Sequence, residues 1–100
     1  MKILNDILQE EMDRLIQLKK AYESEIAKLP KGSLIKKNIK GHKYYYLNYR
    51  TGRKQIFKYI GKLSEEELKD LSSKIEERRK LERLSRQVKK DIKEVKKKIK

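Results

Sequence analysis

The sequence predicts an α+β fold: two long antiparallel helices, coiled-coil-like, with an inserted three-stranded antiparallel β-sheet. Three observations predict it. Apolar residues recur at steps of three and four over residues 1–29 and again over 64–100. The stretch between them is dense in β-branched and aromatic residues instead. Two short turn signals cut that stretch into three equal runs. The 100 residues form a single expected domain, and 26 of them are Leu, Ile, Val or Phe, enough for a thin, elongated core.

The first helix is carried by Met1, Leu4, Leu8, Met12, Leu15, Leu18, Tyr22, Ile26 and Leu29, with Ile3, Ile7 and Ile16 widening the stripe. Pro30 and Gly32 end it. In the middle segment, Gly41-His42 and Thr51-Gly52 are the expected two-residue turns, which places strands at about 33–40, 43–50 and 53–60. The third element, 64–100, opens on a capping box formed by Ser64 and Glu67. Glu65, Glu66 and Asp70 suit the positive end of that helix and are read as dipole partners, not metal ligands. Its seam is Leu68, Leu71, Ile75, Leu81, Leu84, Val88, Ile92, Val95 and Ile99. At about 55 Å it exceeds the first helix, about 40 Å, so its last basic turns are expected to project unpaired. Each stripe needs a partner, and a homodimer through the same seams is the alternative to an intrachain pair.

Composition removes several classes of function. There is no cysteine, hence no disulfide scaffold, thiol nucleophile or Cys-based zinc site. One histidine, His42, excludes a His–His metal pair, and its place beside Gly41 reads as an exposed turn. No apolar run reaches the ~18 residues of a membrane span, and no secretory leader is visible, so the expectation is a cytoplasmic protein. The sequence has no Gly-rich phosphate loop and no spaced nucleophile–base pair. The expectation is therefore non-catalytic, with no cofactor.

What remains is charge. Lys and Arg total 29 against 15 acids, a net +14. The excess is local: residues 30–64 hold 10 bases and no acid, and residues 86–100 hold 8 bases and 2 acids. An acid-free block makes a field that a mixed solvated surface lacks, and its natural partner is a polyanion.

Residues opposed across two-residue turns share a face. One face collects Ile35, Lys37, Ile39, Tyr44, Tyr46, Asn48, Gln55, Phe57 and Tyr59. The other collects Lys36, Asn38, Lys40, Lys43, Tyr45, Leu47, Tyr49, Lys54, Ile56, Lys58 and Ile60. The first has the larger aromatic cluster and is assigned to the core. The second interleaves lysine and tyrosine and is assigned to DNA or RNA: lysines for phosphates, tyrosines for stacking or backbone contacts. The expected nucleic-acid-binding set is Lys36, Lys40, Lys43, Tyr45, Tyr49, Arg50, Arg53, Lys54 and Lys58. A secondary basic tail is expected at Lys89, Lys93, Lys96, Lys97 and Lys100; it lacks Trp or Phe anchors, so a membrane is the poorer partner. A slip of the third strand by one residue would exchange the faces of Ile56, Phe57, Lys58 and Tyr59.

Lys31-Gly32-Ser33-Leu34, Gly41, Tyr44-Tyr45-Tyr46-Leu47, Tyr49-Arg50 and Tyr59-Ile60-Gly61-Lys62 resemble a family of small uncharacterised prokaryotic and mobile-element proteins. In these a basic three-stranded core sits between Lys/Glu-rich helices. A similar Tyr-rich strand, Gly turn and basic strand occurs near the start of some insertion-sequence transposases. The layout is also similar to the arm-type DNA-binding domains of integrases, which read DNA with the sheet. That resemblance covers about a third of the chain and implies a DNA-binding role for the basic and tyrosine residues of strands two and three. The rival expectation is a protein-binding coiled-coil adaptor, or a small mobile-element inhibitor that docks on an acidic or nucleic-acid-binding surface of a larger protein or nucleoprotein complex.

Overall fold

The structure, a computed structural model, describes residues 2–99. Met1 and Lys100, expected in the first seam and in the basic tail, lie outside the described residues. The element order is α1 (Lys2–Ala27), β1 (Ser33–Ile39), β2 (His42–Thr51), β3 (Lys54–Gly61) and α2 (Glu65–Lys98). The fold is α+β, with one helix on either side of the sheet in sequence. The chain forms two compact units: α1 with the part of α2 from Arg79 onward, and residues 29–78. The boundary falls inside α2, not at a linker.

In the helical unit, Met12 and Leu15 of α1 and Ser85 and Val88 of α2 are buried. Glu23 and Ile26 share one groove with Glu82, Ser85, Arg86 and Lys89. Gln9, Met12 and Ile16 share another with Ile92, Lys96 and Ile99. The start of α1 thus meets the end of α2, an antiparallel pair. Two expectations are corrected. Leu84 is partly outside the seam, 38% exposed, and Ser85 takes the buried position. The basic end of α2 does not project past α1, because Lys96 and Ile99 line the same groove as Gln9 and Met12. The extra length of α2 lies at its beginning, where Leu68, Leu71 and Ile75 belong to the sheet unit. It is α1 that leaves apolar side chains uncovered, at Ile3, Leu4 and Ile7.

The sheet order is β1-β2-β3, antiparallel throughout. Ile39 pairs with His42 and Thr51 with Lys54, so the turns are Lys40-Gly41 and Gly52-Arg53, each one residue from the expected place. Lys40 and Gly41 both have positive φ, 51° and 82°, as a type I′ turn demands. His42 is the first residue of β2, not a turn residue. Each opposed pair shifts by an even number, so the two faces keep their predicted membership. A bulge between Tyr45 and Tyr46 sets Tyr45 opposite Gly61 and Tyr46 opposite Tyr59, leaving Ile60 as the extra residue. Residues 54–59 therefore stay on their predicted faces.

Which face is covered is the reverse of the expectation. Tyr45 and Leu47 are buried, at 6% and 5% exposure, and Leu34, Tyr49, Ile56 and Ile60 are half-buried. In the same unit Ile75 is buried and Leu68 and Leu71 are half-buried, so the first turns of α2 supply the cover. The Arg78 guanidinium donates to the Leu29 carbonyl at 2.6 Å, which ties the incoming loop to this stretch of helix.

The predicted capping box is present. The Glu67 backbone N–H donates to Ser64 Oγ at 3.1 Å, and the Ser64 N–H donates to Glu67 Oε1 at 3.0 Å. The backbone N–H of Ser64 holds the Glu67 carboxyl below its ordinary value, with help from the serine side chain. Ser64→Ala is expected to lower stability by about 1 kcal/mol near neutral pH. A carboxyl with a lowered folded pKa stabilises above its unfolded value and loses that contribution as pH falls through the folded value. Glu67→Ala removes that carboxyl, and the deficit of this second variant should therefore shrink in acid, below the ordinary glutamate range. Urea midpoints across a pH series check this; a deficit that stays constant into acid would mean that Glu67 takes no part.

Candidate functional site

The uncovered face of the sheet is built by alternate residues. In β2 these are His42, Tyr44, Tyr46, Asn48 and Arg50; Ile35, Lys37 and Ile39 oppose them from β1, and Gln55, Phe57 and Tyr59 from β3. Ile39 (47%), Phe57 (54%) and Tyr59 (57%) are exposed, which is unusual for large apolar side chains on a sheet.

The rings are in contact with one another. The Tyr59 ring lies 5.3 Å from that of Tyr46 and 6.4 Å from that of Tyr44, both tilted. His42 meets the Tyr44 ring edge-on at 6.5 Å. Such separations fall in the favourable range for aromatic pairs, so the rings hold each other in a shared surface. Two ammonium groups sit over this cluster: Lys37 Nζ is 5.0 Å from the Tyr46 centroid, and Lys62 Nζ is 5.7 Å from that of Tyr44. At the other end of the face, Gln55 donates its amide N–H to the Asn48 side-chain oxygen. The arrangement is a floor of adjacent rings with two exposed lysine ammonium groups over it. Such a floor can stack flat π-systems and neutralise anions beside them.

The predicted binding residues divide. Tyr45 is buried and unavailable to a ligand, which corrects its assignment. Tyr49 is half-buried and has the Lys31 ammonium 5.9 Å from its ring, the same ammonium that donates to the Arg50 carbonyl at 3.0 Å. Lys36, Lys43, Lys54 and Lys58 point to the covered side, yet all four are exposed. They lie on the edge strands or at strand ends, where a long stem carries the ammonium clear of α2. Lys40 and Arg53 are exposed in the turns, and Arg50 belongs to the open face. In the tail, Lys89 and Lys96 flank α1, whereas Lys93 and Lys97 are exposed on the other side of α2.

The residues missed from the sequence are Lys37, Tyr44, Tyr46, Phe57, Tyr59 and Lys62. A signal for them existed in the central strand. Its middle offers Leu47 to one face and Asn48 to the other, and the middle of a central strand is where covering is most complete. The face carrying Leu47 was the one to bury.

Among the described residues no group of three or more His, Asp or Glu is placed to hold a metal ion. No helix among them is long and apolar enough to cross a membrane.

These features define a small, basic α+β protein whose three-stranded sheet is covered on one face and presents rings and lysines on the other. The chain belongs to the family described as a domain of unknown function, DUF6788, which matches residues 8–70. That span runs from the second turn of α1 through the whole sheet into the first turns of α2. No curated protein and no solved structure matches the chain.

Proposed function

We propose that the protein is a non-catalytic binder of single-stranded nucleic acid, DNA or RNA, working through the open face of its sheet. The observation that carries this is the Tyr44–Tyr59–Tyr46 cluster, in which Tyr59 is exposed and Tyr44 and Tyr46 are half-buried, with the exposed Phe57 beside it, on a segment with no acidic residue. Unpaired bases have π-faces to lay on these rings; bases within a duplex do not. Lys37, Lys62 and Arg50 border the rings. Lys36, Lys40, Lys43, Arg53, Lys54 and Lys58 ring the sheet and serve the backbone phosphates. This reading keeps the partner class expected from the sequence and moves the contact to the other face. A cytoplasmic setting and a mobile-element origin, as binding part of a larger nucleoprotein system, belong to the same proposal.

Fluorescence anisotropy with single-stranded DNA, single-stranded RNA and duplex probes, across a salt series, tests it. The single strands should remain bound near physiological salt, because stacking is insensitive to counterions while phosphate contacts are not. Loss of both single-stranded probes at modest salt would overturn the reading. The exposed Ile3, Leu4 and Ile7 of α1 favour a second reading, a helical adaptor or inhibitor docking on a larger protein complex. That reading predicts no retained single strand at physiological salt.

A further inference from the structure

We infer that the outer ridge of α2 is a second binding site, for the phosphodiester backbone of double-stranded nucleic acid. It concerns the helical unit alone and stands independently of the sheet face.

Arg79, Arg83, Arg86, Lys90, Lys93 and Lys97 follow one another at alternating steps of four and three, and all six are exposed. At about 100° per residue they fall within about 40° of a single line along the helix. The buried Val88 lies on the opposite side, toward α1. The three acids of this stretch, Glu82, Asp91 and Glu94, stand off the line by about 60° or more. Glu82 and Asp91 are half-buried toward the seam, and Glu94 reaches Lys97 at 3.5 Å from the flank. The centre of the ridge is therefore an acid-free row on a straight rod about 27 Å long. At its beginning Arg79, Glu82, Arg83 and Arg86 together line a shallow concavity of about 230 Å³, and Arg86 also borders the groove shared with Glu23 and Ile26 of α1.

The chemistry of the row selects its ligand. It has no aromatic ring, amide or hydroxyl, so it cannot read or stack a base. Its centre offers the Arg83 and Arg86 guanidinium forks, which match phosphate oxygens two at a time, followed by the Lys90 and Lys93 ammonium groups. A double helix hides its bases and presents a regular series of phosphates. The rod matches about eight base pairs of that series at about 3.4 Å per step. The protein then carries two surfaces of different selectivity, rings for unpaired bases and a charged ridge for duplex backbone.

The test compares the full-length protein with the variant Arg83→Gln/Arg86→Gln/Lys90→Gln/Lys93→Gln, using a mixed-sequence duplex DNA across a salt series. A control removes the same charge from α1: Lys2→Gln/Lys19→Gln/Lys20→Gln/Lys28→Gln. All of these but the half-buried Lys19 are exposed, and far-UV circular dichroism verifies that both proteins fold. The ridge variant should lower the log–log salt slope for duplex by about 3 to 4, since each lost phosphate contact contributes about 0.9. The α1 control should leave the slope within about one unit of the parent. An unchanged slope in the ridge variant overturns the inference. So does a control that loses as much, because the effect would then be net charge and not a site. A ridge variant that loses duplex well beyond the α1 control supports the ridge even where the parent retains no single strand and the sheet-face reading has failed on its own probes.

Discussion

Replacing Tyr46 and Tyr59 together with alanine is expected to abolish binding to single strands while leaving the fold intact. A base stacked on an aromatic side chain is worth about 1–3 kcal/mol by alanine substitution, so each ring removed should weaken binding by roughly 10- to 100-fold. Tyr59 is the sharper position: it touches both Tyr44 and Tyr46, and 57% of it is exposed, so its loss empties the middle of the floor without opening the core. Phe57→Ala should fall in the same range, since Phe57 continues the row along β3. Tyr45→Ala is the contrasting variant. Its ring is buried, and truncating a large buried aromatic costs about 3–5 kcal/mol of stability. Anisotropy at fixed salt, paired with urea midpoints, separates the two. Single-strand affinity unaffected by the Tyr46/Tyr59 pair would remove the open face from the mechanism. So would an effect no larger than that of changing Lys36, Lys43, Lys54 and Lys58 to glutamine.

The second large effect is one of stability. Gly32→Ala is expected to destabilise the protein by about 3 kcal/mol or more, a large share of the 5–15 kcal/mol that holds a domain of this size. Two causes add. Gly32 has φ 107°, a conformation that side chains resist. An added Cβ would also lie 2.5 Å from the Asn48 carbonyl oxygen and 2.9 Å from Tyr49 Cβ. That oxygen belongs to the central strand beside the first β1–β2 pair, Ser33 with Asn48, so it cannot retreat without disturbing the sheet. Gly52→Ala separates the two causes. Gly52 has φ 60° in the second hairpin turn, with nothing within 4 Å of the added atom. Denaturation midpoints should place Gly52→Ala about 1 kcal/mol below the parent and Gly32→Ala well beneath it. Equal losses in the two variants would mean that the close approach to β2 carries no energy.

These two predictions differ in how visible they are from sequence. Gly32 is readable as a helix stop after Pro30, and no more. Its need for a missing Cβ depends on where residues sixteen and seventeen positions later come to lie, and no local pattern reports that. The ring cluster was half readable. Strand alternation and two short turns sort Tyr44, Tyr46, Phe57 and Tyr59 onto one face. That sorting survived a one-residue misplacement of both turns, because a pair shifted by two residues keeps its parity. The strand bulge also fell beyond Tyr59 and spared the set.

By itself the sequence determined the order and type of the elements. Periods of 3.6 and 2 are local properties of a chain, and so are the proline stop, the Ser64–Glu67 cap and the glycine turns. It also determined where positive charge concentrates, because an acid-free block of 35 residues stays positive however it folds. Only the tertiary structure decided which face of the sheet is open. Both faces carry aromatic and aliphatic residues, and the aromatic content of a face does not say where a helix will lie. Tyr45 and Leu47 are buried in the unit that also holds the first turns of α2, and only the folded chain reveals that the lysines of that face stay exposed. The tail was decided in the same way. Its charge was evident in the sequence, but pairing with α1 set Lys89 and Lys96 beside the seam, with Arg86 bordering the same groove as Lys89, and left Arg79, Arg83, Lys90, Lys93 and Lys97 along the outside. The packing partner of a helix selects which of its residues meet solvent, and that selection is not a local property of the chain.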